Sequence, residues 1–358
     1  MNRTALLIIS LLFLVAIEVL RVYFIMPFPG SQRTDSINTA YFINKNIWWL
    51  RILGFMLLLG PAIYVYGRTK TWKKITLSIF LLLYGVVFYF FNFKFLADKM
   101  FYQPNNKILA TVRENKVDSS KLIVGVTING ESKAYPLEII GYHHQVQDTV
   151  GGEPVMVSYC SVCRTGRVFS PVVNGQYQHF RLVGMDHFNA MFEDVDTKSW
   201  WRQATGEAIA GKLKGQHLKE LPSEQMRLGA WIRLHPDTRI MQPDPDFAKQ
   251  YKDLEGFDNG TINSGLEHRD TASWQFKSWV IGVVVGTQAK AYDWNDLVKH
   301  RTITDTIAGT PILLELENDN VSFHVKQQDA NGDMIPVQAY QEFWHSWKQF
   351  HPYTMVYK

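Results

Sequence analysis

GVTINGESKAYPLEIIGYHHQVQDTVGGEP, residues 125–154, recurs as GVVVGTQAKAYDWNDLVKHRTITDTIAGTP, residues 282–311, at a constant offset of 157 with no gap. Ten of the thirty positions are identical: Gly125/Gly282, Val126/Val283, Lys133/Lys290, Ala134/Ala291, Tyr135/Tyr292, His143/His300, Asp148/Asp305, Thr149/Thr306, Gly152/Gly309 and Pro154/Pro311. Further on, Trp231-x-x-x-His235-Pro236-x-Thr238 matches Trp347-x-x-x-His351-Pro352-x-Thr354 at an offset of 116, so the second copy is the shorter. A repeat of this kind points to one supersecondary unit used twice.

Within each copy the residues describe short strands around a short helix. Leu122–Ile128 and Trp279–Val285 are β-branched runs, and Asn129-Gly130 supplies a type I′ hairpin signal. A helix follows (Pro136–Gly141; Asp293–Val298), then a strand, a glycine turn (Gly151-Gly152; Ala308-Gly309) and a strand after a proline. Amphipathic helices around Glu224–Leu234 and Val337–Phe350 close the copies. Each is stopped by His-Pro, because proline disfavours the α conformation in the residue before it. The expected fold class is α+β: three N-terminal transmembrane helices followed by a β-rich soluble domain built from an internal duplication. The expected organisation is an anchor over 1–99, a first copy over 100–242, a Pro-, Asp- and Gly-rich linker over 243–277 and a shorter second copy over 278–358.

The anchor is read from three apolar stretches, Ala5–Ile25, Ile47–Tyr66 and Ile75–Leu96. At about 1.5 Å per residue each can cross a hydrocarbon core of about 30 Å. Trp48, Trp49, Tyr64, Tyr66 and Tyr89 lie in or near their ends, where aromatic belts are found. The first stretch lacks a small-x-small cleavage site and precedes two further spans, which argues against a removed signal peptide. The short connection 67–74 carries Arg68, Lys70, Lys73 and Lys74 and no acid, whereas Pro27–Asn46 carries Arg33, Lys45 and Asp35. Basic loops stay in the cytoplasm, so the expected topology is a multi-pass protein of the cytoplasmic membrane with its N-terminus inside. Everything after Leu96 then lies outside the cytoplasm. Residues 1–99 hold 11 Lys+Arg and 3 Asp+Glu, so the overall charge of +4 belongs to the anchor and the remainder is mildly acidic. That balance excludes a nucleic-acid footprint on the folded part.

The duplication acts as a filter: features shared by both copies serve the fold, and those confined to one are candidates for chemistry. Cys160-Ser161-Val162-Cys163 holds both cysteines of the chain, at the tip of a hairpin between Pro154–Tyr159 and a strand from Arg167. The second copy has Glu317 and Asn320 there. An extra segment between Gln176 and Leu221 is also confined to the first copy; it holds Asp186-His187-Phe188-Asn189, Glu193-Asp194 and Ser199-Trp200-Trp201-Arg202-Gln203. Three readings of the cysteines stand. As a redox pair, one thiolate attacks a disulfide and its neighbour resolves the mixed disulfide, with Arg164, Arg167 and a nearby histidine favouring the thiolate. As half of a zinc or copper site, Cys160 and Cys163 need partners such as His143 and His187, with His144 also near in sequence. As a structural disulfide, they staple a hairpin in an oxidising compartment.

Ala134-Tyr135-Pro136-Leu137, His143, Asp148-Thr149-Val150-Gly151-Gly152-x-Pro154-Val155, Tyr159-Cys160-x-x-Cys163, Ser199-x-Trp201-x-Gln203-x-x-Gly206-x-Ala208-Ile209-x-Gly211 and His235-Pro236-Asp237-Thr238 together resemble a bacterial and archaeal extracytoplasmic family, domain-of-unknown-function family 3179. The resemblance covers about 118–245 well and the second copy weakly. It implies relatives labelled selenoproteins, which favours the redox reading, but it names no reaction. The resembled pattern reads Cys-Pro-x-Cys-Gly; here Ser161 and Arg164 replace the proline and glycine, which makes a tight zinc knuckle less secure.

The remaining candidates weigh less. His143 has a counterpart, His300, in the copy without thiols and reads as structural; His235 and His351 read as helix termini, and His144 as solvated. His187, beside Asp186, is the better partner for the thiols. Trp200, Trp201 and Trp231 read as core, and Glu193-Asp194 as a solvated loop face. No Gly-rich phosphate loop, His-Glu-x-x-His or Gly-x-Ser-x-Gly occurs, which argues against nucleotide chemistry, zincin proteolysis and serine hydrolysis. The functional expectation is a thiol redox site at Cys160 and Cys163, helped by Arg164 and His187, acting on a thiol or disulfide partner protein. Cys160 attacks and Cys163 resolves; no cofactor is required, whereas the metal reading calls for zinc or copper. The third expectation is an interaction module.

Overall fold

Apolar runs open the chain as helices. The computed structural model describes residues 3–358, and α1 (Arg3–Tyr23), α2 (Ile37–Arg68) and α3 (Thr71–Phe93) are each long and apolar enough to cross a membrane. At about 1.5 Å per residue, α2 is about 48 Å long, more than a bilayer core requires. It begins well before the expected Ile47 because its first turns pack on protein: Ala40 is buried, and Tyr41 meets Trp200 edge-on at 5.1 Å. Two charges deep inside the helices are paired with each other. Arg51 donates to both carboxylate oxygens of Glu18 (2.6 and 2.7 Å), and Asn92 joins Glu18, Arg51 and Arg21. A low-dielectric surrounding demands such pairing.

After α4 (Ala97–Met100) and β1 (Leu109–Ala110) the chain turns to short strands. β2 (Leu122–Ile128) and β3 (Glu131–Pro136) form the hairpin announced by Asn129-Gly130, whose residues both take positive φ (49° and 82°). α5 (Leu137–His143) follows, then β4 (Gln145–Val150), β5 (Glu153–Cys160) and β6 (Thr165–Phe169) in an antiparallel sheet. β7 (Val172–Val173) and β8 (Gln176–Tyr177) make a small ribbon. The extra segment is a sheet of its own: β9 (Phe180–Asp186), β10 (Asn189–Asp194), β11 (Trp200–Arg202) and β12 (Ala208–Ala210). β13 (Glu224–Arg227) then pairs with β2, α6 (Leu228–Leu234) follows, and β14 (Arg239–Met241) runs parallel to β3. The helix expected over Glu224–Leu234 is therefore only its last seven residues; the first four are drawn into the sheet edge.

The region 243–277 holds α7 (Ala248–Lys252) and buries Phe247, Tyr251 and Phe257 against the core of the first half. β15 (Trp279–Val285), β16 (Gln288–Asp293), α8 (Trp294–His300), β17 (Thr302–Ile307), β18 (Thr310–Leu316) and β19 (Phe323–Gln328) then repeat the order of β2 to β6. β20 (Met334–Pro336), β21 (Ala339–Phe343), α9 (Trp344–Phe350) and β22 (Met355–Val356) close the chain.

The shared residues do the same work in each half. Gly125 lies opposite Ala134, and Gly282 opposite Ala291. A Cβ on Gly125 would fall 2.4 Å from Trp231, and one on Gly282 would fall 2.1 Å from Trp347, so only glycine admits each indole. Tyr135 donates to Asp148 and Tyr292 to Asp305, each at 2.8 Å. Trp231 donates to Thr238 and Trp347 to Thr354, again at 2.8 Å. His235 and His351 lie on those same indoles, at 3.9 and 3.8 Å between centroids. Buried N–H and O–H groups need partners, and these pairs supply them.

The halves also cross over each other. Arg167, in the first half, makes a buried ion pair with Glu342 in the second, and Gln225 donates to Gln341. The backbone N–H of Phe343 donates to Cys163 O (3.0 Å), while in the opposite sense the N–H of Arg227 donates to Ser322 Oγ (3.0 Å).

Candidate functional site

Cys160 ends β5, paired opposite Thr165, and Cys163 lies in the turn that leads to β6. The last six residues of β5 are buried on both faces and the turn stays inside the core, so both cysteines are buried; their thiols are free. Four separate parts of the chain converge on them.

The β9–β10 turn comes first. Its carbonyl Phe188 O accepts from Cys160 Sγ (3.5 Å) and from Cys163 Sγ (3.3 Å). The turn residues His187 and Phe188 both have positive φ (50° and 67°), a conformation that costs a non-glycine residue about 1–2 kcal/mol. The strain is held by Asn189, whose side chain donates to Gln203 and accepts from Ala204 N.

Lys277 is the second part. Its ammonium is buried, donates to Val162 O (2.6 Å) and lies 4.6 Å over the Phe343 ring. Burial lowers the pKa of Lys277, against the opposing pull of the two sulfurs. The start of α9 is the third. His345 Nε2 stands 4.0 Å from Cys163 Sγ, and His345 Nδ1 is 3.0 Å from Phe276 O. A carbonyl only accepts, so the ring proton belongs on Nδ1 and the Nε2 lone pair faces the thiol. Burial, then Lys277, pushes the pKa of His345 down to about 3, so the imidazole is neutral at ordinary pH. The fourth part is the hairpin turn itself, clamped by Thr165 Oγ1, which reaches Cys163 O and Ser346 Oγ (both 3.3 Å).

These surroundings split the two thiols. Burial pushes Cys160 up, but hydrogen bonds from Cys163 and from the Ala190 and Cys163 backbone, with Lys277, outweigh it and bring Cys160 down. Burial and the neighbouring Cys160 push Cys163 well up. The cover is thin on one side. His345 stacks on Phe276 at 4.2 Å, Phe188 meets both rings edge-on, and Phe276 is itself 56 % exposed.

The other residues singled out in the sequence lie elsewhere. Arg164 leaves the thiols behind: it takes φ 55°, turning its guanidinium to Gln341 Oε1 (2.9 Å), Phe257 O (3.1 Å) and Asp258 O (3.3 Å), flat on Trp279 at 3.8 Å. Arg167 is spent on Glu342. His187 pairs with Asp186 (2.7 Å) and Asp35 (3.4 Å), and it is its neighbour's carbonyl that meets the sulfurs. The hydrogen bond to Asp186 raises the pKa of His187 despite burial. His143 is tied to Tyr102 O and to Tyr251 Oη (2.8 Å). Among the described residues no group of three or more His, Cys, Asp or Glu is arranged to hold a metal ion, so neither His143 nor His187 joins the thiols in such a group.

Two expectations are corrected. His144 is not solvated: it is buried against Phe101, with burial pushing its pKa down to about 4. Glu193 and Asp194 are not a solvated face either, because two buried indoles need acceptors: Trp200 Nε1 donates to Glu193 (2.9 Å) and Trp201 Nε1 to Asp194 (2.8 Å).

Sequence reasoning missed Phe188 O, Lys277 and His345. His345 was within reach of the duplication filter, since the offset of 116 sets it against Gly229 and makes it specific to the second copy. Lys277 carried no signal, lying at the end of a stretch that read as linker.

The class defined by this fold and site is an α+β domain with a buried thiol pair, joined to three helices that fit a membrane anchor. Residues 104–354 match the family described as "Protein of unknown function (DUF3179)", and the chain belongs to that family. No curated protein and no solved structure matches it.

Proposed function

We propose that this chain is a membrane-anchored, extracytoplasmic thiol–disulfide redox protein whose reactive pair is Cys160 and Cys163. The observation that carries the reading is the convergence of a buried ammonium, a neutral histidine and a shared carbonyl on two adjacent free thiols. The extracytoplasmic side is supported by the basic residues clustered at the α2–α3 junction, Arg68, Lys70, Lys73 and Lys74. The common register and shared side-chain pairs of the two halves support an ancestral duplication.

In the proposed cycle the Cys160 thiolate attacks one sulfur of a partner disulfide; a Cys160–partner bond forms and the partner's other sulfur leaves as a thiolate. The departing partner thiolate takes the proton of Cys163, whose own thiolate then attacks Cys160 Sγ and releases the second partner sulfur. The dithiol has become a disulfide, the partner disulfide has become two thiols, and two electrons have passed between them. A dithiol donor reverses the step. Because both sulfurs are buried, the cover of Phe188, Phe276 and His345 has to open for each encounter.

That same burial favours a second reading, a structural sulfur pair in a scaffold that does no turnover. Titrating the thiols of the full chain across redox buffers separates the two. An exchanging pair has a midpoint within the range of thiol oxidoreductases, whereas a pair that stays oxidised below about −300 mV marks a structural bond and refutes the redox function. Cys163→Ser is expected to accumulate a mixed disulfide through Cys160.

A further inference from the structure

The cover over the thiols is held from below by the anchor. The segment between α1 and α2 reaches the end of β9 at one point and the β9–β10 turn at two. Met185 N–H, near the end of β9, donates to Ile25 O (2.7 Å). Gln32 Oε1 accepts from the N–H of Phe188 (3.2 Å), the residue whose carbonyl contacts both sulfurs. Asp35 approaches His187 at 3.4 Å, a weak contact because Asp35 is almost wholly in solvent.

Gln32 is not a chance neighbour. It is buried, and its Nε2 donates back to Phe24 O (3.1 Å) and Met26 O (3.4 Å), which fixes it to the end of α1. Gly184 admits the contact beside it, since a Cβ there would fall 2.3 Å from Ile25 O. The turn so held is the strained one, with two non-glycine residues at positive φ. Strain of this kind persists only where the surroundings over-determine it.

We infer that the α1–α2 segment is a latch on the thiol pair: movement of α1 against α2 withdraws Gln32 and Ile25, the β9–β10 turn relaxes, and Phe188 O leaves the sulfurs. This rests on the redox reading of the site and adds its regulation, since reactivity outside the bilayer is then set by the arrangement of helices within it.

The test is the rate at which a maleimide labels Cys160 and Cys163 in the reduced full chain, folded in detergent. Gln32→Ala removes the acceptor together with the Nε2 donor that ties it to Phe24 O and Met26 O, and Gly184→Val drives a side chain into Ile25 O. Both are expected to label about fivefold faster or more, as loss of one hydrogen bond holding the cover implies. Phe276→Ala opens the cover from the opposite side and serves as the comparison. Faster labelling of Phe276→Ala with Gln32→Ala at the wild-type rate overturns the latch, and so does an absence of change in all three. Should Gly184→Val fail to fold, Gln32→Ala decides alone. Labelling is read on reduced protein, so a pair that proves structural in the redox titration refutes the redox function without touching this result.

Discussion

Glu342→Leu is the sharpest probe of how the two halves depend on each other. Arg167 and Glu342 are 2 % and 1 % exposed, and they join β6 of the first half to β21 of the second. Arg167 also donates to Gly166 O (2.8 Å) and Ala204 O (3.2 Å) and lies 3.5 Å over the Tyr340 ring; Glu220, at 3.6 Å, is the remaining acid near it. Removing one partner of a buried pair strands the other charge and costs about 3–5 kcal/mol. Glu220 is partly exposed and offsets some of this, which puts the expected loss near the lower bound, about 3 kcal/mol. That is about a hundredfold in the folded-to-unfolded ratio, or a fall in Tm of about 6–12 °C for a domain of this size. Glu342 also accepts from Ser346 Oγ (3.1 Å), next to His345, so thiol labelling should rise together with the loss of stability. The assay is thermal unfolding of the full chain in detergent, followed by tryptophan fluorescence. The double variant Arg167→Met/Glu342→Leu should recover most of the loss, because neither fully buried charge remains and the partly exposed Glu220 keeps its hydrogen bond from Tyr340 Oη. A single-variant loss under about 1 kcal/mol, or a second half that melts separately from the first, refutes the reasoning that this pair couples the halves.

Other outcomes follow from particular contacts. Gly125→Ala and Gly282→Ala should each destabilise by about 1–3 kcal/mol, because the new methyl meets an indole in both places; equal shifts in thermal unfolding check this. Asp194→Ala leaves the Trp201 indole N–H without an acceptor and should cost about 1–3 kcal/mol in the same assay. Lys277→Met removes the cation whose charge lowers Cys160 and should move the pH profile of Cys160 alkylation upward; an unchanged profile contradicts the electrostatic account. The hydrogen bond to Glu224, then that to Glu317, raises the pKa of His324 to about 8 despite burial. A raised pKa stabilises the fold fully below the unfolded value of about 6.5 and loses that contribution as pH climbs through the folded one. Wild type should therefore lose stability relative to His324→Gln between those two pH values, and parallel pH dependences would count against it.

Several features were legible before any coordinates because they are set locally. The three apolar runs span what a membrane helix needs, the Asn129-Gly130 turn closes its hairpin, and the Cys-x-x-Cys turn sits at the tip of β5 and β6. Several residues identical in the two similar stretches solve the same packing or hydrogen-bonding problem in each half: a glycine under an indole, a tyrosine on an aspartate, a tryptophan on a threonine. Periodicity failed where sheet pairing overrode it, as at Glu224–Arg227, which reads as the start of a helix and pairs with β2.

What surrounds the thiols belongs to tertiary structure alone. Cys163, Phe188, Lys277 and His345 are widely spaced along the chain and meet only because the halves cross over and the extra sheet folds its strained turn between them. Charge by itself nominated Arg164, the residue beside the motif, but backbone handedness at that position sends its guanidinium to Trp279. Sequence neighbours share a backbone direction only over a residue or two. Which ammonium faces a thiol is decided by packing, and packing is a property of the whole chain.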